Sequence, residues 1–151
     1  DTKLNNIILD GETGEGLCVI DLDTIMPGLV LNDYGDSIRF GATTAAEDER
    51  DLDKVHFDRA LYTAYTEAYL GAAGEALTPM EKEYLPWGAK LMTLECGIRF
   101  LTDHLEGDTY FKIHREGHNL DRCRTQFKLV AEMEESFDFM HDVVRRFDST
   151  R

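Results

Sequence analysis

The chain has 151 residues, of which 42% are hydrophobic, and this is enough for one domain with a buried core. Its formal net charge of −14 argues against binding to nucleic acid or to an anionic membrane, because both need a basic surface. The three cysteines, Cys18, Cys96 and Cys123, are widely spaced and odd in number, which favours reduced thiols over a disulfide framework or a zinc site.

The first elements in chain order are two short apolar runs, residues 6–9 and 17–22, rich in residues that favour strands. The segment between them, residues 10–16, contains glycines that supply the positive φ a turn requires. We interpret these runs as a β-hairpin with a long loop. A Pro-Gly pair then breaks the chain, and residues 33–40 predict a short helix capped near Asn32 or Asp33.

Residues 46–54 are acidic and lack apolar periodicity, which predicts a solvated linker. Helices are predicted over residues 55–70, 84–105 and 119–147 from apolar side chains at helical spacing. A capping signal precedes the second of these helices: Thr78, Pro79, Glu81. The side chains predicted to face inward are Phe57, Leu61, Tyr65 and Ala68 in the first helix, Leu91, Leu94, Ile98 and Leu101 in the second, and Phe127, Val130, Met133, Phe137, Met140 and Val144 in the third.

Polar residues around the hairpin have the spacing that phosphoryl-transfer enzymes use for a base and magnesium. Asp1, Lys3 and Asn6 form a D-x-K-x-x-N segment, and Asp21 ends the second apolar run. Asp1 would accept or orient the attacking hydroxyl, and Lys3 would offset charge on the transferring phosphate. Asn6 and Asp21 would supply oxygen ligands to Mg²⁺, because folding the hairpin brings the ends of its strands together. Asp23 would be a further metal ligand or a carboxylate that contacts the metal ligands and not the metal itself.

Each of these residues also has a purely structural interpretation, as a helix cap, a turn residue or part of a frayed end. A bare D-x-x-x-x-N segment is common by chance. The full combination, in which D-x-K-x-x-N is followed by a hairpin and then by an apolar strand ending in Asp, is much rarer. We therefore favour the catalytic interpretation of the hairpin.

These motifs resemble the aminoglycoside phosphotransferase and choline kinase superfamily, which has a protein-kinase-like fold. Within it the chain is most similar to bacterial N-acetylhexosamine 1-kinases, and the likeness covers nearly the whole chain. The histidine that stands just before the catalytic Asp in this superfamily would precede Asp1. The segments that carry the resemblance are residues 1–6, 19–28, 33–39, 94–103, 107–111, 119–122 and 126–129.

The resemblance implies an α+β, mostly α fold: a protein-kinase-like C-terminal lobe with a catalytic-loop β-hairpin followed by a helical subdomain. Residues 1–45 would hold the catalytic loop, the metal-binding hairpin and a short helix. Residues 46–151 would form the substrate-binding subdomain of the same structural unit. It also implies sugar contacts by Arg99 and Tyr110; from sequence alone, a surface Arg99 paired with an acid is about as good an interpretation.

The expected function is transfer of the ATP γ-phosphate to the anomeric hydroxyl of an N-acetylhexosamine, assisted by Mg²⁺. Two alternatives remain: a kinase of another small hydroxyl compound, such as an aminoglycoside, choline or homoserine, and a non-catalytic kinase-like binding module. The resemblance places the nucleotide-binding strands in an N-terminal lobe that residues 1–151 do not include. No residue of the chain is therefore predicted to bind ATP. We therefore expect residues 1–151 alone to be inactive and to self-associate through the apolar face that this lobe would cover.

Other conspicuous residues have structural interpretations. A lone Trp such as Trp87 could stack on a sugar but is more often part of a core. Several basic residues in segment 115–128 predict an internal ion-pair network, since the chain is so acidic. No apolar run is long enough to span a membrane and no signal peptide is visible, so we expect a cytoplasmic protein. The histidines lack metal spacing and are interpreted as structural or surface residues: His56, His104, His114, His118 and His141.

Overall fold

The computed structural model describes residues 4–148. Within that range a two-stranded sheet precedes five α-helices, so the predicted α+β, mostly helical class is confirmed. Short 3-10 turns occupy Leu4–Asn6, Leu52–Lys54 and Gly74–Ala76. The strands and helices are β1 (Ile7–Leu9), β2 (Gly16–Val19), α1 (Val30–Gly41), α2 (Arg59–Ala73), α3 (Pro79–Leu105), α4 (His118–Glu135) and α5 (Phe137–Asp148).

The two strands form the predicted hairpin. They pair antiparallel, with Ile7 opposite Val19. The loop between them is closed by Asp10, whose Oδ1 accepts the backbone N–H groups of Glu12 at 2.9 Å and Thr13 at 2.7 Å. This is the local turn that a short acceptor side chain favours. Every residue of both strands is exposed, so the hairpin contributes little to the core.

A single hydrophobic core joins the five helices. Helix α3 lies at its centre, with α1 and α4 packed against it, and α2 packs mainly against α5. Helix α1 thus shares its core with the helices that follow residue 46. The core residues include Tyr34 and Ile38 from α1, Tyr62 and Leu70 from α2, Leu85 and Ala89 from α3, Leu129 and Met133 from α4, and Met140, Val143 and Val144 from α5.

Helices α1 and α3 approach each other backbone to backbone through two glycines. A Cβ atom on Gly35 would lie 2.3 Å from the carbonyl oxygen of Gly88. A Cβ on Gly88 would lie 2.6 Å from the carbonyl oxygen of Leu31. Real Cβ atoms do not come this close to backbone oxygen, so the crossing requires glycine at both positions.

Helix boundaries differ from the predictions where the caps differ. Helix α1 begins at Val30 and has no side-chain cap, so the predicted start near residue 33 is wrong. Helix α2 begins at Arg59, because the carboxylate of Asp58 caps it by accepting the N–H groups of Ala60 and Leu61.

At α3 the predicted capping box is confirmed. The hydroxyl of Thr78 accepts the N–H of Glu81 at 3.2 Å, and the Glu81 carboxylate accepts the N–H of Thr78 at 2.7 Å. The helix predicted over residues 119–147 is two helices, α4 and α5, separated at Ser136.

The predicted inward faces of α2 and α3 are only partly right: Phe57, just before α2, is buried and Tyr65 packs against the core, but other predicted positions are not buried. Leu61, Leu91 and Ile98 are exposed, by 39%, 60% and 49% respectively. The buried positions are instead Tyr62, Thr66 and Leu70 in α2, and Leu85, Ala89, Thr93, Gly97 and Phe100 among others in α3. Both helices carry apolar side chains on more than one face, so periodicity alone does not identify the face that packs.

The predicted solvated linker over residues 46–54 is wrong for Glu47 and Asp48, which pair with residues of other elements, whereas residues 50, 51, 53 and 54 are exposed. Glu47 forms an ion pair with Arg39 of α1 at 2.9 Å. Asp48 contacts Arg115 at 3.2 Å and the buried His118 of α4 at 3.1 Å. The segment therefore connects α1 to α4 and is held by charge complementarity.

Glu132 of α4 holds the segment just before α2. Its carboxylate accepts the N–H of Phe57 at 2.7 Å and the ammonium of Lys128 at 2.9 Å, and it contacts Nδ1 of His56 at 3.1 Å. Burial opposes ionisation of Glu132, but the hydrogen bonds from Lys128, Phe57 and His56 outweigh it and hold the pKa of the carboxyl below its ordinary value.

Ionised Glu132 therefore stabilises the fold at pH values above its ordinary pKa of about 4.3, and this contribution is lost as the pH falls through the lower folded-state pKa. We expect Glu132→Gln to lower the free energy of unfolding at neutral pH. The free energy of unfolding should also decrease less in this variant than in the wild type as the pH falls from neutral to acid. Urea unfolding at a series of pH values measures both effects. Glu135→Gln, at an exposed position of the same helix, is the control. Identical pH dependence in the wild type and Glu132→Gln would contradict this role.

Between residues 4 and 148, none of the helices is both long and apolar enough to cross a membrane.

Candidate functional site

The hairpin brings together two residues expected to bind magnesium. Asn6 ends the 3-10 turn before β1 and is 6% exposed, and its carbonyl oxygen accepts the N–H of Ile20 at 2.9 Å. Asp21 is the residue after Ile20, and its Oδ2 accepts a hydrogen bond from Nδ2 of Asn6 at 3.2 Å. Amide and carboxylate groups thus meet although they lie 15 positions apart in sequence.

Asp21 has an unusual backbone conformation. Its φ of +62° lies in the left-handed region, and of the described non-glycine residues it shares this sign only with Asp108. Asp tolerates this region better than most side chains, but the conformation still has a free-energy cost, and such residues concentrate at functional sites. The turn that follows β2 therefore sets the direction of the Asp21 carboxylate.

A cavity of about 740 Å³, which we call the hairpin cleft, lies between the hairpin and α1. Asn6 and Asp21 line it, together with the apolar segment before α1. Asp23 is exposed and does not line it, so the structure does not place this carboxylate with the other two candidate ligands. Asp1 and Lys3 lie outside the described residues.

A second cavity of about 740 Å³, the α1–α3 cleft, shares Asn32 and Asp33 with the hairpin cleft. Its walls come from α1, α3, α4 and the loop that follows α3. Asn5 lines this cleft, whereas its neighbour Asn6 lines the hairpin cleft. The two clefts therefore meet where the D-x-K-x-x-N segment ends.

Arg99 and Tyr110 meet in the α1–α3 cleft. Nη2 of Arg99 donates a hydrogen bond to the Tyr110 hydroxyl at 3.3 Å. The guanidinium also lies 5.6 Å from the ring centroid of Tyr110 and 5.4 Å from that of Phe111. Nε of Arg99 is 3.7 Å from the carboxylate of Glu95, one helical turn earlier. Arg99 therefore has an acidic neighbour and also faces a cavity that can hold a small molecule.

Helix α1 supplies further charged groups that sequence reasoning did not identify as site residues. Asp33, Asp36 and Arg39 line the α1–α3 cleft, and Arg39 pairs with Asp36 at 2.8 Å. Burial opposes the charge on Arg39, but the charge and hydrogen bond of Asp36 and the charge of Glu47 favour it, and the pKa of Arg39 is raised. Asp33, Asp36 and Arg39 are spaced three residues apart, which places them on one face of a helix. This spacing is the sequence signal that indicates this wall of the cleft.

Cys96 also lines this cleft, as a thiol. Burial raises the pKa of Cys96 to about 11, so the thiol is protonated at neutral pH. Cys18 is exposed and Cys123 is buried; both are free thiols, as predicted.

The basic residues of segment 115–128 form ion pairs, as predicted. Arg115 pairs with Asp121, Arg122 contacts Glu47 at 3.6 Å, and Lys128 pairs with Glu132. Trp87 lines neither cleft; its ring packs edge-on against that of Phe137 at 4.8 Å. It is 46% exposed, so it lies at the edge of the core and not within it.

In the part of the chain that the structure describes, no group of three or more His, Cys, Asp or Glu side chains could hold a metal ion. A scan against models of known protein families finds no match to the chain.

Proposed function

We propose that this chain is the catalytic lobe of a kinase-like enzyme that transfers the ATP γ-phosphate to the anomeric hydroxyl of an N-acetylhexosamine. One observation carries the proposal: the hairpin cleft and the α1–α3 cleft meet at Asn5 and Asn6, the end of the D-x-K-x-x-N segment. A phosphoryl donor on one side and a hydroxyl acceptor on the other would meet there, next to Asp1 and Lys3 in sequence.

On the donor side, Asn6 and Asp21 fit the needs of Mg²⁺. The ion prefers hard oxygen ligands, and it commonly takes only one or two from protein because waters and substrate phosphates supply the rest. Asn6 and Asp21 carry an amide oxygen and a carboxylate and are held together by one hydrogen bond. When bound, the ion would neutralise charge on the phosphates of the nucleotide. The clustering of only two such groups therefore agrees with a nucleotide-dependent magnesium site.

On the acceptor side, the α1–α3 cleft has the size and chemistry for a sugar. Its volume of about 740 Å³ lies within the range of about 300–1,000 Å³ typical of small-molecule sites. Arg99 and Tyr110 offer hydrogen-bond donors to an acetamido carbonyl or a ring oxygen. Asp33 and Asp36 offer acceptors to sugar hydroxyls. Asp1 would act as the base for the attacking hydroxyl, and Lys3 would stabilise charge on the moving phosphoryl group.

The surface around the hairpin supports a nucleotide-binding lobe elsewhere in the same protein. Leu17, Ile25, Met26 and Leu29 are between 61% and 77% exposed, which is unusual for neighbouring large apolar side chains. In the proposal, the lobe and the adenine of ATP cover this surface. Self-association of residues 1–151 alone stays a prediction, and gel filtration showing a well-behaved monomer would contradict it.

The test is a transfer assay with the intact protein, ATP and Mg²⁺. The acceptors are N-acetylglucosamine, N-acetylgalactosamine, an aminoglycoside, choline and homoserine, and phosphorus NMR identifies the phosphorylated position. The expected product is an N-acetylhexosamine 1-phosphate. Transfer only to another acceptor would replace the proposed substrate. Nucleotide binding without transfer to any acceptor would favour a non-catalytic module.

Arg99→Ala is expected to raise the KM for the sugar by about 10- to 100-fold, because a charged donor contributes roughly 1.5–3 kcal/mol to a hydrogen bond. The KM for ATP should not change, since Arg99 lines only the α1–α3 cleft of the two. Arg145→Ala is the matched control: this arginine is exposed on α5 and pairs with Asp142. Equal effects of the two substitutions on the KM for the sugar would show that Arg99 does not contact the sugar.

A further inference from the structure

The loop between α3 and α4 carries Tyr110, and its backbone is held by one buried carboxylate. Asp103 lies in the last turns of α3 and is 3% exposed. Its Oδ1 accepts the backbone N–H groups of Thr109 at 2.8 Å and Tyr110 at 2.7 Å. Its Oδ2 accepts that of Phe111 at 3.0 Å. Three consecutive N–H groups therefore converge on a single side chain.

Asn119 completes this arrangement from α4. It is fully buried, and its Nδ2 donates to Oδ2 of Asp103 and to Oδ1 of Asp108, both at 2.8 Å. Its Oδ1 accepts from Nη1 of Arg122 at 3.2 Å, and the same Nη1 donates to the carbonyl oxygen of Lys112 at 3.4 Å. The loop is thus attached to both helices on either side of Tyr110.

A carboxylate is the side chain that suits this position. It accepts up to about four hydrogen bonds and donates none, and four donors surround Asp103. Burial opposes ionisation, but the bonds from Phe111, Tyr110 and Thr109 outweigh it and hold the pKa of Asp103 below its ordinary value. The carboxylate therefore stays charged at neutral pH.

The Tyr110 side chain has little else to fix it. It is 73% exposed; its ring contacts Phe111, edge-on at 4.8 Å, and its hydroxyl accepts a hydrogen bond from the exposed Arg99 at 3.3 Å. The Phe111 ring in turn packs on the buried Phe100 at 4.8 Å. The position of Tyr110 over the α1–α3 cleft therefore follows from its backbone, and the backbone follows from Asp103.

We propose that Asp103 is a positioning residue for the acceptor: by fixing the backbone of residues 109–111, it places Tyr110, and with it Arg99, against the sugar. This role rests on the proposed function, since it takes Arg99 and Tyr110 as sugar contacts. Asp103 does not touch the sugar itself. Its loss should therefore weaken sugar binding and leave nucleotide binding intact.

Asp103→Asn is the main test, in the intact protein. The new amide directs N–H groups at Phe111 and Asn119, where donors already lie, so these two of the four hydrogen bonds are lost while the side-chain volume is kept. The expected result is a rise of about 10- to 100-fold in the KM for the sugar, with the KM for ATP unchanged. Hydrogen exchange of the amides of residues 109–111 should become faster in the same variant.

Two further variants complete the design. Gly107→Ala strains the start of the loop, because Gly107 has a φ of +91°, and there is open space for the new Cβ. It replaces no side chain of the buried cluster, so it is the deciding variant if Asp103→Asn does not fold. It should raise the KM for the sugar in the same direction. Asp142→Asn, on the exposed face of α5, is the matched control and should leave both readouts unchanged.

The outcomes separate the two proposals. Unchanged hydrogen exchange at residues 109–111 in a folded Asp103→Asn variant overturns the anchoring role. Faster exchange with an unchanged KM for the sugar overturns the link between the loop and the acceptor. Absence of phosphate transfer to any sugar by the wild type overturns the proposed function and, with it, the acceptor role.

Discussion

Under the proposed function, replacing Asp21 by Asn is expected to lower kcat/KM for phosphate transfer by about 10³-fold, because Asp21 would be a charged magnesium ligand and its loss would remove several kcal/mol of transition-state stabilisation. The substitution is nearly isosteric. The Asn side chain keeps an oxygen that can accept the hydrogen bond from Asn6, and Asn, like Asp, tolerates the left-handed backbone of this position. The change therefore removes charge and preserves the turn.

Asp23→Asn is the matched control, since Asp23 lies two residues further on, is exposed, and is not part of the hairpin cleft. It should retain nearly full activity. Steady-state kinetics over a range of Mg²⁺ concentrations measure both variants, and Asp21→Asn should require more Mg²⁺ for half-maximal rate. Equal losses in the two variants would return Asp23 to the metal site, and a fully active Asp21→Asn would exclude Asp21 from it.

Gly88→Ala is expected to destabilise the fold by about 2–3 kcal/mol, which corresponds to a decrease in Tm of about 5–10 °C. Alanine is the better helix former, so the sign depends on the contact with α1. The new Cβ would lie 2.6 Å from a backbone oxygen of Leu31, and backbone cannot move aside as a flexible side chain can. Helix α1 must shift, together with Asp33 and Asp36 in the cleft wall.

Gly71→Ala provides the opposite case in the same fold. Gly71 lies within α2, and a Cβ there has no atom within 4 Å to meet. Only the helix propensity changes, so this variant should be more stable by about 0.5–1 kcal/mol. Thermal unfolding followed by circular dichroism compares the two. A Gly88→Ala variant as stable as Gly71→Ala would show that α1 and α3 do not cross closely.

Local signals predicted the elements of this fold well, and three-dimensional contacts explain the failures. The glycine-rich loop and the capping box at Thr78 depend on neighbouring residues, so the hairpin and the start of α3 follow from sequence. The inward faces of α2 and α3 depend on which neighbours pack against them. Leu91 and Ile98 fit a helical stripe as well as Leu85 and Ala89 do, yet the first two are exposed.

The candidate site shows the same division. The meeting of Asn6 with Asp21 follows from the antiparallel pairing of one hairpin. The anchoring role of Asp103 could not be predicted from sequence, because its partners are backbone N–H groups six to eight residues away and a side chain from another helix. The acidic segment around Glu47 looked unstructured for a similar reason: its partners lie on α1 and α4.

The exposed hairpin has a consequence for how this protein can vary. Neither strand buries a side chain, whereas the folding free energy comes from the helices behind it. Residues that would perform the chemistry and residues that hold the fold together are therefore largely separate sets. Substitutions in the first set can accumulate without unfolding the chain, so the hairpin can diverge in sequence and activity while the helical core is conserved by the need for packing.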